Sequence, residues 1–338
     1  MSAATFQQRQ TACSTYGPVR RYLAGRNEGG IAPFPKEIAE SRTNRHEAVT
    51  VAQAYREGNT AANRVVVAIQ GERGAFSHEA ALDLLGPETE VLPRPSFDAL
   101  FDALKDGAAD RALVPIENSL AGSIHENYDR LRSRPFHIVG ETQLRIRHCL
   151  IARPGVALNG IRQVASHPVA LAQCREFFAR RPHLEAVAAY DTAGSVMDLL
   201  REGTVTRAAI ASRLAAETHG GEILLEEIED DPQNYTRFLL LAREPGPPPG
   251  AEGKTTLVFT LQNVPGALHR AIGVFAVRGL DLVKIESRPL RGRPWEYVFY
   301  VDVVGDPAGE LAPALEELRA LSGEFRVLGS YPRRPESP

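Results

Sequence analysis

Cysteine is scarce in this chain: three among 338 residues, Cys13, Cys149 and Cys174, with no close spacing between any two. An odd, scattered set fits neither a disulfide framework nor a zinc site, and points to a reducing compartment, the cytoplasm. No apolar run approaches the roughly 20 residues of a membrane span, and the N-terminus lacks the apolar core of a secretory signal, so neither membrane insertion nor export is expected. Basic excess is missing too. The net charge is −3, with no Lys/Arg run and no interleaving of basic and aromatic residues, which argues against nucleic acid as a partner. Nine histidines show no H-E-x-x-H pattern. Gly71 and Gly74 form a bare G-x-x-G without a third glycine or a Walker lysine, so no metal and no nucleotide cofactor is expected. Repeats, coiled coil and low-complexity arrays are likewise absent, leaving little ground for a scaffolding role. What is present is 43% hydrophobic residues, ordinary for two or three packed domains.

Residues 1–62 are polar, mix Arg with Glu, and carry no sustained apolar periodicity, so they read as a disordered extension with at most a few helical turns around Ile38 to Arg56. From Val65 the pattern alternates strand and helix, which makes residues 63–243 an α/β domain. Ser96 is placed to cap a helix from Phe97, and Ser123 with Glu126 has the spacing of a capping box. Pro- and Gly-rich residues 244–253 read as a linker. Residues 254–332 then follow a β-α-β-β-α-β order, which is ferredoxin-like. In Trp295, Tyr297, Phe299, Val301 and Val303 the period of two is clean, so one sheet face is core. With only two helices in so small a module, a second copy of the chain is expected against its other face.

Two polar clusters stand out among apolar strands. Pro115-Ile116-Glu117-Asn118-Ser119 follows the run Ala112-Leu113-Val114, at a strand's carboxyl end, where open α/β sheets bind ligands. Asn234-Tyr235-Thr236-Arg237-Phe238 opens a second apolar run. Arg237 there either clamps a carboxylate or bridges to Glu117. Ser77, Ser166 and Thr192 each stand near a predicted helix start, and convergent helix N-termini can hold carboxylates without metal. An anionic small molecule is the expected ligand.

From about residue 65 to 332 the chain resembles the prephenate dehydratases that carry a C-terminal ACT regulatory domain. Gly71 to Ala80 is similar to the family's opening loop, and P-I-E-N-S-L-A-G-S-I (115–124) to its P-I-E-N-S element. Ser166 to Cys174 resembles its S-H-P segment, with Val169 where Gln is usual, and Asp230 to Phe238 resembles its D-x-x-N-x-T-R-F signature. Gly266-Ala267-Leu268 and Glu286-Ser287-Arg288-Pro289 look like the G-A-L and E-S-R-P elements that bind phenylalanine in the family.

The resemblance implies an α/β fold: a two-subdomain, periplasmic-binding-protein-like catalytic domain plus a ferredoxin-like ACT domain. The subdomains would comprise about 63–144 with 225–243, and 145–224. It implies a cofactor-free conversion of prephenate to phenylpyruvate, in which Thr236 protonates or hydrogen-bonds the departing hydroxyl and Arg237 holds a substrate carboxylate. Asn118, Ser119, Ser166 and Gln173 would orient the rest, with Glu117, Ser77, Thr192 and Phe238 near the substrate. Phenylalanine is the implied effector, at Gly266, Ala267, Leu268, Asp281, Glu286, Ser287, Arg288 and Pro289. Asp281 stands where the family usually has Asn, so a carboxylate is placed close to the implied effector site. The run G-S-I-H-E-N-Y-D (122–129) is similar to the arogenate-using branch, so arogenate is the alternative substrate. A homodimer or homotetramer is expected. A non-catalytic amino-acid sensor is the competing class, and the hydroxyl at Thr236 weighs against it.

Overall fold

In a computed structural model the described residues are 64–334, apart from 251, 291 and 294. The N-terminal extension, its expected helical turns and Cys13 lie outside them. Among the described residues no helix is long and apolar enough to cross a membrane, and no cluster of His, Cys, Asp or Glu could hold a metal.

The alternation of strand and helix builds two sheets. The first lobe contains β1 (Val66–Gln70), α1 (Phe76–Leu85), β2 (Glu90–Arg94), α2 (Phe97–Lys105), β3 (Arg111–Asn118), β4 (Gly122–Ser123), α3 (His125–Ser133) and β5 (His137–Arg145). The chain crosses into a second lobe of β6 (Cys149–Ala152), β7 (Gln163–Ser166), α4 (Pro168–Ala172), α5 (Arg175–Ala179), β8 (Glu185–Ala188), α6 (Thr192–Glu202), β9 (Arg207–Ala211), α7 (Arg213–His219) and β10 (Glu222–Leu225). It returns as β11 (Tyr235–Ala242), which inserts between β3 and β5 to give the order β2-β1-β3-β11-β5. The second sheet has the order β10-β6-β9-β7-β8. The two crossovers run side by side: Ile146 N–H donates to Asn234 O (2.7 Å), and Ile228 N–H donates to His148 O (3.0 Å).

β11 is apolar on both sides because both sides are covered. Phe238 and Leu240 pack with Val67, Ile69 and Leu113 under α1, while Leu239 and Leu241 face the other way with Val114 and Ile116. Each such side chain, fully buried, contributes about 1.5–3 kcal/mol. Ser96 accepts Ala99 N–H (3.2 Å) and so caps α2. The capping box expected at Ser123 and Glu126 does not form: Ile124 is the N-cap of α3, and Ser123 donates instead to Glu286 (2.8 Å).

The C-terminal module runs β12 (Gly253–Leu261), α8 (Ala267–Ala276), β13 (Leu282–Pro289), β14 (Tyr297–Val304), α9 (Ala312–Leu321) and β15 (Phe325–Pro332), in the sheet order β13-β14-β12-β15. This is the ferredoxin-like sequence of elements. Phe299, Val301 and Val303 lie in the core with α8 and α9, as their alternation predicts. Trp295 does not extend that strand: it is 77% exposed, with φ 68°.

The opposite face of this sheet differs from expectation. It is covered within the chain, where Val258, Val298, Tyr300, Leu328 and Tyr331 share one cluster with Ile138, Leu239 and Leu241 of the first lobe. A second copy is therefore not needed to bury it. Contact at one point is backbone on backbone, since a Cβ on Gly329 would stand 2.1 Å from Ile138 O and 2.7 Å from Ile138 N. Only glycine lets β15 lie this close to β5.

Candidate active site

Asn118 ends β3 and Thr236 is its register partner on β11, so the pleat puts both side chains at the same end of the sheet. Asn118 Nδ2–H donates to Thr236 Oγ1 (3.0 Å) and to Asn234 Oδ1 (2.8 Å). Asn118 Oδ1 accepts Leu120 N–H (3.1 Å) and Ala121 N–H (2.8 Å). From the second lobe, Gln173 at the C-cap of α4 donates Nε2–H to Asn118 Oδ1 (3.3 Å) and accepts Asn234 Nδ2–H (3.0 Å) at Oε1. Asn118, Gln173 and Thr236 thus meet where the lobes join. Thr236 is held as an acceptor by Asn118, which leaves its own proton to give.

Ser119 lies beside them but is committed to the backbone: it donates to Gln233 O (2.7 Å) and accepts Tyr235 N–H (2.9 Å). It ties β3 to the second crossover rather than facing a ligand. Asn234, fully buried at the centre of the amide cluster, stands in the second polar cluster of the sequence but has no role assigned to it there. The signal for it was an uncharged amide opening a strand two residues before Thr236.

Arg237 is a correction. Alternation along β11 turns it to the face opposite Thr236, under the C-terminal sheet. Its Nε–H donates to Glu141 (2.8 Å), NH1 pairs with Asp302 (2.6 Å), and NH2–H donates to Tyr331 OH (3.1 Å). Lys254 adds a second cation to Glu141 (2.6 Å). Burial works against the guanidinium's charge, but Asp302, Tyr331 and Glu141 outweigh it and hold the group well above its ordinary pKa. With both carboxylates engaged, Arg237 bridges neither Glu117 nor a substrate. Glu117, on the same face, is held by Lys284 (2.7 Å) and is likewise away from the cleft. Phe238 is also displaced from its expected place, being a core residue under α1.

The three predicted helix caps are each displaced, Ser77 by two residues and Ser166 and Thr192 by one. α1 begins at Phe76 with Ala75 at the N-cap and no side-chain cap, so Ser77, largely buried, lies inside the first turn. Ser166 donates to Ile210 O (2.6 Å) and is fully buried, while His167 caps α4 by accepting Val169 N–H (3.3 Å). Ser166 therefore joins β7 to β9 and does not orient a ligand. Thr192 follows Asp191, whose carboxylate accepts Gly194 N–H (2.7 Å) and fills the α6 N-terminus that a substrate anion would need. Burial raises the pKa of Asp191. Of the three, α1 retains an uncapped N-terminus beside the amide cluster, with Phe76 edge-on to His148 at 5.4 Å between ring centroids. The glycines of the opening loop permit close approach: a Cβ on Gly74 would lie 2.6 Å from Ala215 Cα.

The predicted effector residues separate into two groups. Gly266, Ala267 and Leu268 line a cavity of about 310 Å³ with Leu261, Tyr297 and Phe299. Glu286 and Arg288 do not reach it, because β13 turns them toward α3, where Glu286 accepts Ser123 Oγ–H and Arg288 pairs with Asp129 (2.8 Å). Ser287, Pro289 and Asp281 are exposed and outside its lining.

Residues 67–246 match the family described as prephenate dehydratase, and residues 255–323 match the ACT domain. The chain belongs to the prephenate dehydratase family. It is 46% identical over 281 residues to arogenate dehydratase/prephenate dehydratase 2, chloroplastic, of Arabidopsis thaliana, covering 80% of this chain and 73% of that one. Among solved structures it is similar to a prephenate dehydratase from Arthrobacter aurescens in complex with L-Phe, at 34% identity and TM-score 0.74, covering 81% of this chain and 92% of that one. It is also similar to GqqA, described as a novel type of quorum quenching acylase, at 39% identity and TM-score 0.74, covering 80% and 98%. Family membership makes the two-lobed unit the catalytic domain and the C-terminal module the ACT domain.

Proposed function

We infer that the protein is a dehydratase acting on prephenate or arogenate, and that Thr236 is its proton donor. The observation that carries this is the Asn118–Thr236 hydrogen bond, which fixes the hydroxyl as an acceptor on one side and leaves its proton for a leaving group. In the reaction the ring carboxylate departs as carbon dioxide and its bonding electrons enter the ring. The ring hydroxyl takes the Thr236 proton and leaves as water, and Thr236 is reprotonated from solvent. Aromatisation of the ring drives the step. The uncapped N-terminus of α1, with Ser77, offers N–H groups and a positive dipole end to a substrate carboxylate, and Gln173 orients the substrate from the facing lobe.

Arogenate is the second reading, supported by the run 122–129 and by the dual name of the Arabidopsis relative. The acylase named for the GqqA structure belongs to another reaction class, needing a nucleophile beside a base. Ser119 and Ser166 give their hydroxyl protons to backbone carbonyls, and burial pushes Cys149 up to about 11, so neither arrangement favours it here. Turnover of prephenate and arogenate by the purified chain, without metal or nucleotide, separates these. Phenylpyruvate from prephenate or phenylalanine from arogenate supports the dehydratase, whereas no product from folded protein favours the sensor.

Phenylalanine is the proposed effector, in the cavity at Gly266 to Leu268, on the strength of its size and the L-Phe complex of the Arthrobacter relative. A homodimer or homotetramer is proposed through the edge strand β13, where Ile285 is 49% exposed. A cytoplasmic location is proposed on the two free, buried cysteines, Cys149 and Cys174.

A further inference from the structure

His148 plays no part in the steps above, yet it is 1% exposed at the first crossover between the lobes. The side-chain amides around it have their orientation fixed from the backbone. Leu120 and Ala121 N–H groups can only donate, so the atom they meet on Asn118 is the oxygen. Asn118 Nδ2 therefore faces Asn234 Oδ1, Asn234 Nδ2 faces Gln173 Oε1, and the ring nitrogen 2.9 Å from Gln173 Oε1 has to carry a proton. His148 Nε2 is a donor to Gln173.

The other ring nitrogen tells what this histidine is not. Nδ1 is buried and has no hydrogen-bond partner among the described residues. A buried acceptor without a partner destabilises a fold, and an apolar residue beside Phe76 would fill the space without that cost. What imidazole adds is the single N–H on Gln173. The carboxylate of Glu229 is turned to the backbone, accepting His148 N–H (2.8 Å), and has Arg145 at 3.7 Å.

We propose that His148 is a positioning residue for the dehydration: its Nε2–H holds Gln173, and through Gln173 and Asn118 it holds the hydroxyl of Thr236. The proposal rests on the dehydratase reading. The chain of contacts runs from the first crossover, through the second lobe, to the strand that carries the proton donor. Each link is a hydrogen bond of 3.3 Å or less.

The test compares full-length wild type, His148→Leu and His148→Gln with prephenate and arogenate, measures thermal midpoints, and records ¹⁵N shifts of the imidazole. His148→Leu is expected to lower kcat by roughly 10- to 100-fold with KM changed by no more than about twofold. Its thermal midpoint should be unchanged or higher, because the unpaired Nδ1 is gone. His148→Gln, whose amide can present N–H near the same place, should recover most of kcat. In a Thr236→Ala background His148→Leu should cost nothing further. A folded His148→Leu with wild-type kcat overturns the proposal, and so does one that fails to fold, which would make the residue structural. An Nδ1–H tautomer in the ¹⁵N spectrum overturns it independently of activity. If wild type converts neither substrate, the dehydratase reading falls and the positioning role falls with it, while the ¹⁵N spectrum still reports whether the donor geometry stands.

Discussion

Thr236 and Arg237, neighbours on β11, face opposite ways: the hydroxyl meets Asn118 at the cleft, and the guanidinium is held between Glu141 and Asp302 under the ACT sheet. One strand thus carries the proposed proton donor on one side and the anchor of the regulatory sheet on the other.

Replacing Thr236 by Ala removes the donor while leaving the surrounding packing intact. Turnover should fall by about two to four orders of magnitude, the range for a lost positioned acid, with the thermal midpoint little changed. Thr236→Ser, which keeps the hydroxyl, should retain most activity. Full turnover by the Ala variant, in steady-state assays, would take Thr236 out of the chemistry.

Arg237→Met tests the other side of the strand. It leaves Asp302 without its guanidinium partner and Glu141 with Lys254 alone, so a loss of about 3–5 kcal/mol is expected in denaturant unfolding. A residue that clamped substrate would show the reverse pattern, a raised KM at unchanged stability.

Gly329→Ala drives a methyl into Ile138 backbone atoms, which should cost about 1–3 kcal/mol as β15 is forced off β5. The same variant should weaken the response of turnover to phenylalanine, read by titrating the effector in the assay. An unaltered response with a lowered thermal midpoint would show that this contact is purely structural.

Burial holds His148 and His78 below their ordinary 6.5 in the folded protein. Between 6.5 and those lowered values the unfolded chain binds more protons than the folded one, so this contribution is complete above pH 6.5 and is lost as pH falls through the folded pKa values. Glu79 and Asp191, whose carboxyls burial raises, act with the opposite sign at lower pH. The histidine part is therefore read by difference: thermal midpoints of wild type should drop more steeply than those of His148→Leu as pH falls from 7 to about 5.5. Parallel curves would show that His148 titrates normally in the fold.

Much of this was legible beforehand. That Asn118, Gln173 and Thr236 share one site was implied by the family resemblance, and the period of two on β14 pointed to its core face. The facing of Arg237 was legible in principle, since alternation separates it from Thr236. What no local pattern carries is that the second face meets the ACT sheet, because the contact spans Glu141, Lys254 and Asp302 from three distant strands. The helix caps fall one or two residues from the predicted ones, at Ala75, His167 and Asp191, which is the ordinary uncertainty of helix ends. His148 gave no local signal, because its one useful bond is to Gln173, 25 residues further along the chain.

Since β11 lies between β3 and β5, the sheet of the first lobe has a gap between those two strands until the second lobe has been made. On a ribosome, β5 emerges long before the strand that separates it from β3. The early chain must keep those two edges apart, and it waits longer still for the ACT strands that cover its open face. Conversion of substrate thus cannot begin before β11, which carries Thr236, has been made, and any shortage of chaperoning is felt first at the exposed sides of β3 and β5.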